Sequence, residues 1–131
     1  ADHGMLDVSE TSRHLVAASD PFRAEVAVWA GEPRCVHLYL HEGIQADEWA
    51  KRFGTRLGAG FRVRTRADLL DAHVFGAVSP EHEARIGDVV VFAEGAASLY
   101  DEQSASRSSL AMRGQHGSFS DAEIRIPHIP L

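Results

Sequence analysis

Two apolar periods follow one another in the middle of this chain, and together they leave few folds open. In AEVAVWAGEPRCVHLYL, residues 24–40, apolar side chains alternate on either side of a Gly31-Glu32-Pro33 break. Successive side chains of a strand point to opposite faces, so this pattern predicts a β-hairpin with Val26 and Val28 on one arm and Val36, Leu38 and Leu40 on the other. The period then changes. In QADEWAKRFGTRLG, residues Ala46, Trp49, Ala50, Phe53 and Leu57 fall on one helical stripe, with Gly58 as the expected stop. A stripe of that kind must be buried against something, and the hairpin beside it offers an apolar face.

The elements downstream extend the same plan. FRVR reads as a short strand, and Thr65 three residues before Asp68 resembles a capping box that opens a second helix at TRADLL. Ser79 followed by Pro80 repeats the signal at SPEHEARI. GDVVVFAEGAASLYD suggests a last hairpin, turning at Glu94-Gly95 and returning through Leu99 and Tyr100. The expected class is therefore α+β: a mixed sheet with two or three helices packed on it, for which a ferredoxin-like topology is one candidate. Its expected core is Val28, Trp29, Leu38, Trp49, Phe53, Leu57, Leu69, Val90 and Phe92. Residues 25–101 form the compact module, 1–24 lead into it, and 102–131 follow as a Ser- and Gly-rich surface loop with a terminal apolar strand that Arg125 interrupts. A capping box from Ser120 to Glu123 should open a short helical turn within that loop.

Composition excludes more than it selects. One domain is expected from 131 residues. A net charge of -6 argues against a partner made of nucleic-acid polymer, whose binding requires a basic face. The densest basic stretch, RVRTR, puts Arg62, Arg64 and Arg66 on one side of a strand, where a solvated face is the simplest role. Cys35 is alone, which rules out an internal disulfide and fits a reducing compartment such as the cytoplasm. No apolar run approaches the roughly 20 residues that span a bilayer, so no membrane segment is expected.

Two short motifs near the ends remain. The chain opens with ADHGM, an Asp2-His3 pair before Gly4, and RGQHGS brackets His116 between Gly114 and Gly117. Asp and His are metal ligands, and flanking glycines permit close approach to one. Neighbouring residues of a strand can meet one ion only where the chain bends, which Gly4 allows. His37 alternates within a strand and reads as structural. His41, His73, His82 and His128 read as solvated, and His14 is near enough along the chain to approach the first motif.

In this order and spacing, ADHGM and RGQHGS resemble the two late metal-binding motifs of the alkaline phosphatase superfamily, in particular its nucleotide pyrophosphatase/phosphodiesterase branch. RIGDVVVFAEGAASLYD is similar to the C-terminal third of bacterial members, so the resemblance covers the whole chain. It implies two divalent cations, usually zinc: Asp2 and His3 would serve the ion that activates a Thr or Ser nucleophile, and His116 the ion that activates water. It also implies a phosphorylated intermediate and a small phosphoryl substrate such as a nucleotide diester or pyrophosphate. Phosphonates and simple monoesters stay open, since Ser118-Phe119-Ser120 replaces the Tyr or Phe-Asp-Asn of eukaryotic members. The family's nucleophile and remaining ligands precede the first motif. The resemblance thus implies a C-terminal portion of a larger α/β hydrolase, with no catalytic residue of its own and the remainder of the parent polypeptide as partner. Against it stands a self-contained α+β binding module in which both motifs are coincidental.

Overall fold

The computed structural model describes residues 1–129. Two short strands, β1 (Leu6–Asp7) and β2 (Arg13–Val16), and one helical turn, α1 (Pro21–Ala24), lead into the hairpin β3 (Val26–Glu32) and β4 (Cys35–Leu40). Helix α2 (Ala46–Leu57), strand β5 (Phe61–Thr65), and helices α3 (Arg66–Asp71) and α4 (Pro80–Glu83) follow. Then come β6 (Val89–Ala93), β7 (Ser98–Asp101), α5 (Arg107–Ala111), β8 (Gly114–Gln115) and α6 (Asp121–Ile124).

The main sheet has the order β3-β4-β6-β5 and is antiparallel throughout. Its centre is β6, VVVFA, whose five residues are all buried. A strand covered on both faces loses the polar alternation and reads as a continuous apolar run. On one face Val89 and Val91 pack with Val36, Leu38 and the α2 stripe of Trp49, Ala50, Phe53 and Leu57. On the other, Val90 and Phe92 pack with Leu69 of α3 and Ile86. The sheet therefore separates two apolar clusters, each closed by its own helix.

Local signals act as expected in several places. Gly58, at φ +78°, ends α2 in a conformation that L side chains rarely adopt. The Thr65 hydroxyl accepts from the Asp68 amide while the Asp68 carboxylate accepts from the Thr65 amide, a reciprocal cap.

Other expectations are corrected. The turn of the first hairpin falls at Pro33-Arg34, and β3 runs on through Gly31 and Glu32. A register shift between Val26 and Val28 reverses the alternation, so Val28 is 52% exposed while Trp29 packs against the core. Arg66 does not continue the strand face of Arg62 and Arg64; it opens α3 and binds Asp88 at 2.9 Å. The last hairpin does not form. Both edges of β6 are already taken by β4 and β5, so the chain after Gly95 leaves this sheet and β7 runs parallel to β2 instead. A ferredoxin-like order is also absent: a helix would have to separate the first two strands of the sheet, and a tight turn joins β3 to β4. Among the described residues no strand follows α6, and the last two positions of the expected terminal strand, 130 and 131, lie outside them.

The two clusters owe nothing to the candidate ligands. Leu38→Ala, at a site with no exposed surface, should lower the unfolding free energy by about 2–5 kcal/mol in urea denaturation, whereas Val28→Ala should change it by no more than about 0.5 kcal/mol. Cooperative thermal unfolding of residues 25–101 should persist after chelation of divalent metals, as followed by circular dichroism.

Candidate functional site

Strand pairing brings the two ends of the sequence together. Leu6 of β1 lies opposite Gln115 of β8 and Asp7 opposite Gly114. The Val8 amide adds a bond of 2.8 Å to the Arg113 carbonyl. This register carries His3 onto His116: the two imidazoles stack with centroids 3.7 Å apart and planes 15° from parallel. Both rings are half-buried.

The orientation of His3 is fixed by its neighbour. Its Nδ1 lies 2.8 Å from the Gly4 carbonyl, which can only accept, so Nδ1 carries the proton and Nε2 keeps a free lone pair. Asp2 Oδ1 lies 4.0 Å from that Nε2. A tetrahedral ion about 2.0–2.2 Å from each atom would bring the two to about 3.4 Å, so Asp2 and His3 lie near each other but wider than a shared ligand pair. Gly4 is required here, because a Cβ would fall 1.9 Å from the Ala122 carbonyl oxygen. Gly117, at φ +120°, lies against the first hairpin, where a Cβ would come within 3.2 Å of Cys35 Cβ.

The segment after His116 is ordered rather than a loose surface loop, because it encloses an ion pair. Arg34, in the β3–β4 turn, has no exposed surface, and Glu123 of α6 is 3% exposed. Arg34 Nε and Nη2 donate to the two Glu123 carboxylate oxygens at 2.6 and 2.9 Å. Its remaining N–H groups reach the carbonyls of Gly95, Ala97 and Ala93 at 3.0, 2.6 and 3.4 Å, so all five donors have acceptors. The Glu123 carboxylate also accepts from the Ser118 and Ser120 amides at 3.0 and 3.3 Å and from the Ser120 hydroxyl. Burial alone would raise the Glu123 pKa. The hydrogen bonds from Arg34, Ser120 and Ser118, with the Arg34 charge, outweigh burial and hold it at about 2.

Nothing in the sequence marks Arg34 as buried, since an Arg after a Pro in a turn reads as solvated. Glu123 is visible only as a cap, a role that it also plays. Ser118 is likewise missed: its hydroxyl donates to the Ala93 carbonyl at 2.7 Å and ties the loop to β6.

The other candidate groups lie elsewhere. His14 sits edge-on to Phe61 rather than beside the stacked pair, its pKa lowered by burial and by the Arg56 charge. Burial lowers the His37 pKa as well, and its Nδ1 accepts from the Gly87 amide at 3.1 Å, a structural role. Cys35 is pushed up to about 11 by burial and by the charges of Glu123 and Glu32, which leaves a protonated thiol. Among the described residues no group of three or more His, Cys, Asp and Glu is placed to hold a metal ion. No helix among them is long and apolar enough to cross a membrane.

No family model matches the chain. No curated protein matches it either. Among solved structures, human ectonucleotide pyrophosphatase/phosphodiesterase 5 is similar to it, with a TM-score of 0.59 over 80% of this chain at 16% sequence identity. The likeness is one of fold. The chain spans 26% of that protein's length, so the α+β fold described above corresponds to a portion of a larger structure.

The ion pair makes the terminal segment sensitive to acid. A carboxyl whose folded pKa lies below its unfolded value stabilises the fold fully above the unfolded value and loses that contribution as pH falls through the folded one. For Glu123 the window runs from 4.5 down to about 2, and the contribution is on the order of 3 kcal/mol. Glu123→Gln should therefore flatten the fall in stability across that window, as read by denaturant titration at stepped pH. Arg34→Ala, which strands a buried carboxylate, should cost about 3–5 kcal/mol near neutral pH.

Proposed function

We propose that this chain is the C-terminal part of a two-metal hydrolase of phosphoryl esters, of the nucleotide pyrophosphatase/phosphodiesterase kind. The observation that carries the reading is the His3–His116 stack. An imidazole binds a cation in the plane of its ring, so two nearly parallel rings 3.7 Å apart cannot readily share one ion. They suit one ion each, in layers separated by the about 3.5–4 Å typical of two-metal hydrolytic sites. The order of the motifs and the fold likeness to part of a pyrophosphatase/phosphodiesterase support the same reading.

In this reading Asp2 Oδ1 and His3 Nε2 hold the first cation and His116 contributes to the second. Two such cations, zinc by the family resemblance, would supply Lewis-acid stabilisation of the attacking and leaving oxygens during displacement at phosphorus. The chain's own work is orientation. The Gly4 carbonyl accepts from His3 Nδ1, which in the neutral ring leaves Nε2 as the atom that can bind a cation. Stacking on His116 fixes the plane in which that donor points. Zinc needs three or four protein ligands per ion. The missing donors and the Thr or Ser nucleophile belong, on this proposal, to the remainder of the parent polypeptide. The substrate is then a small phosphoryl ester, with nucleotide diesters and pyrophosphates as the first candidates.

Calorimetric zinc titration of the 131-residue chain beside the full-length parent, with a chromogenic diesterase assay on both, tests this directly. The chain alone should bind weakly and show no turnover, while the parent should bind two ions. In the parent, His116→Ala or Asp2→Ala should lower the catalytic rate by orders of magnitude with the module of residues 25–101 still folded. A parent that binds no metal, or a chain that turns over substrate by itself, overturns the proposal.

A further inference from the structure

We infer that Glu123 is the positioning residue that sets His3 against His116, using its carboxylate for one motif and its peptide carbonyl for the other. The peptide carbonyl accepts from the Gly4 amide at 2.8 Å, one residue from His3. Gly4 approaches this closely only because it has no side chain to meet the neighbouring Ala122 carbonyl. The carboxylate accepts from the Ser118 amide, two residues from His116, and from Ser120 beyond it. One residue therefore holds the backbone beside both imidazoles.

The two grips share a fixed anchor. Arg34 clamps the carboxylate in the bidentate geometry that specifies orientation as well as energy. Arg34 is itself held by the Ala93, Gly95 and Ala97 carbonyls at the end of the central strand. A shift of Glu123 would move Gly4 and Ser118 together, and the spacing between the rings would follow. Neither β1 nor β8 can supply this constraint alone, since two paired residues make a sheet too small to be stable by itself.

This inference rests on the proposed two-metal reading for its functional meaning, but its test needs no metal. Stacked imidazoles shift each other's ring protons upfield, so proton NMR of the metal-free chain, with His3 and His116 assigned by single substitution, reads the stack directly. Glu123→Gln should abolish that displacement and Glu123→Asp should restore part of it. Gly4→Ala gives the same readout from the backbone side, leaving the Arg34 and Glu123 side chains themselves unchanged. It should lose the stack while the core of residues 25–101 still unfolds cooperatively, a combination that global unfolding would not produce. An upfield displacement that survives in Gly4→Ala, or that survives in folded Glu123→Gln, overturns the inference. If the stack is lost as expected and the full-length parent nevertheless binds no zinc, the positioning role stands and the hydrolase reading falls.

Discussion

A buried guanidinium and a buried carboxylate hold the outer part of this molecule to its sheet. Removing two charges from water costs several kcal/mol each, and only good geometry with every remaining donor and acceptor satisfied offsets it. The Arg34–Glu123 pair meets that condition. All five donors of Arg34 are matched, and the carboxylate gathers three further hydrogen bonds from Ser118 and Ser120. The consequence is directional. An apolar contact would have allowed α6 to slide, whereas a bidentate pair fixes its position and its rotation.

The sheet and the terminal segments are thus held by different physics. Residues of the central strand gain stability from apolar burial on both faces, a force without direction that tolerates small shifts. The terminal segments present Met5, Met112, Ile124 and Ile126 to solvent and depend more on polar contacts.

How much of this could be read from the sequence depended on the range of the interaction. Helix α2 was legible because its stripe and its Gly58 stop are local, and so was the Thr65–Asp68 cap. Strand β7 was legible as a strand, but its partner was not: Glu94-Gly95 looks like a hairpin turn, and only the sheet order reveals that β6 has no free edge. The bulge that exposes Val28 leaves no mark in AEVAVWAG. Residues 102–129 read as loose because they are rich in Ser and Gly, yet an ion pair with a residue 89 positions away ties residues 118–123 to the sheet. For the candidate site, residue types pointed to Asp2, His3 and His116. The ring stacking depends on a two-residue pairing of β1 with β8, which no local pattern announces.

The parallel pairing of β2 with β7 matches Arg13 with Ser98 and Val16 with Asp101, which bears on how the protein is born. A ribosome adds roughly 5–20 residues each second, so β2 is made several seconds before its partner exists. Through that interval the hairpin, α2 and β5 can assemble, because their contacts are close in sequence, but β2 still lacks its parallel partner. Until β7 has been made, a chain arrested in synthesis would hold an assembled hairpin beside an unpaired β2.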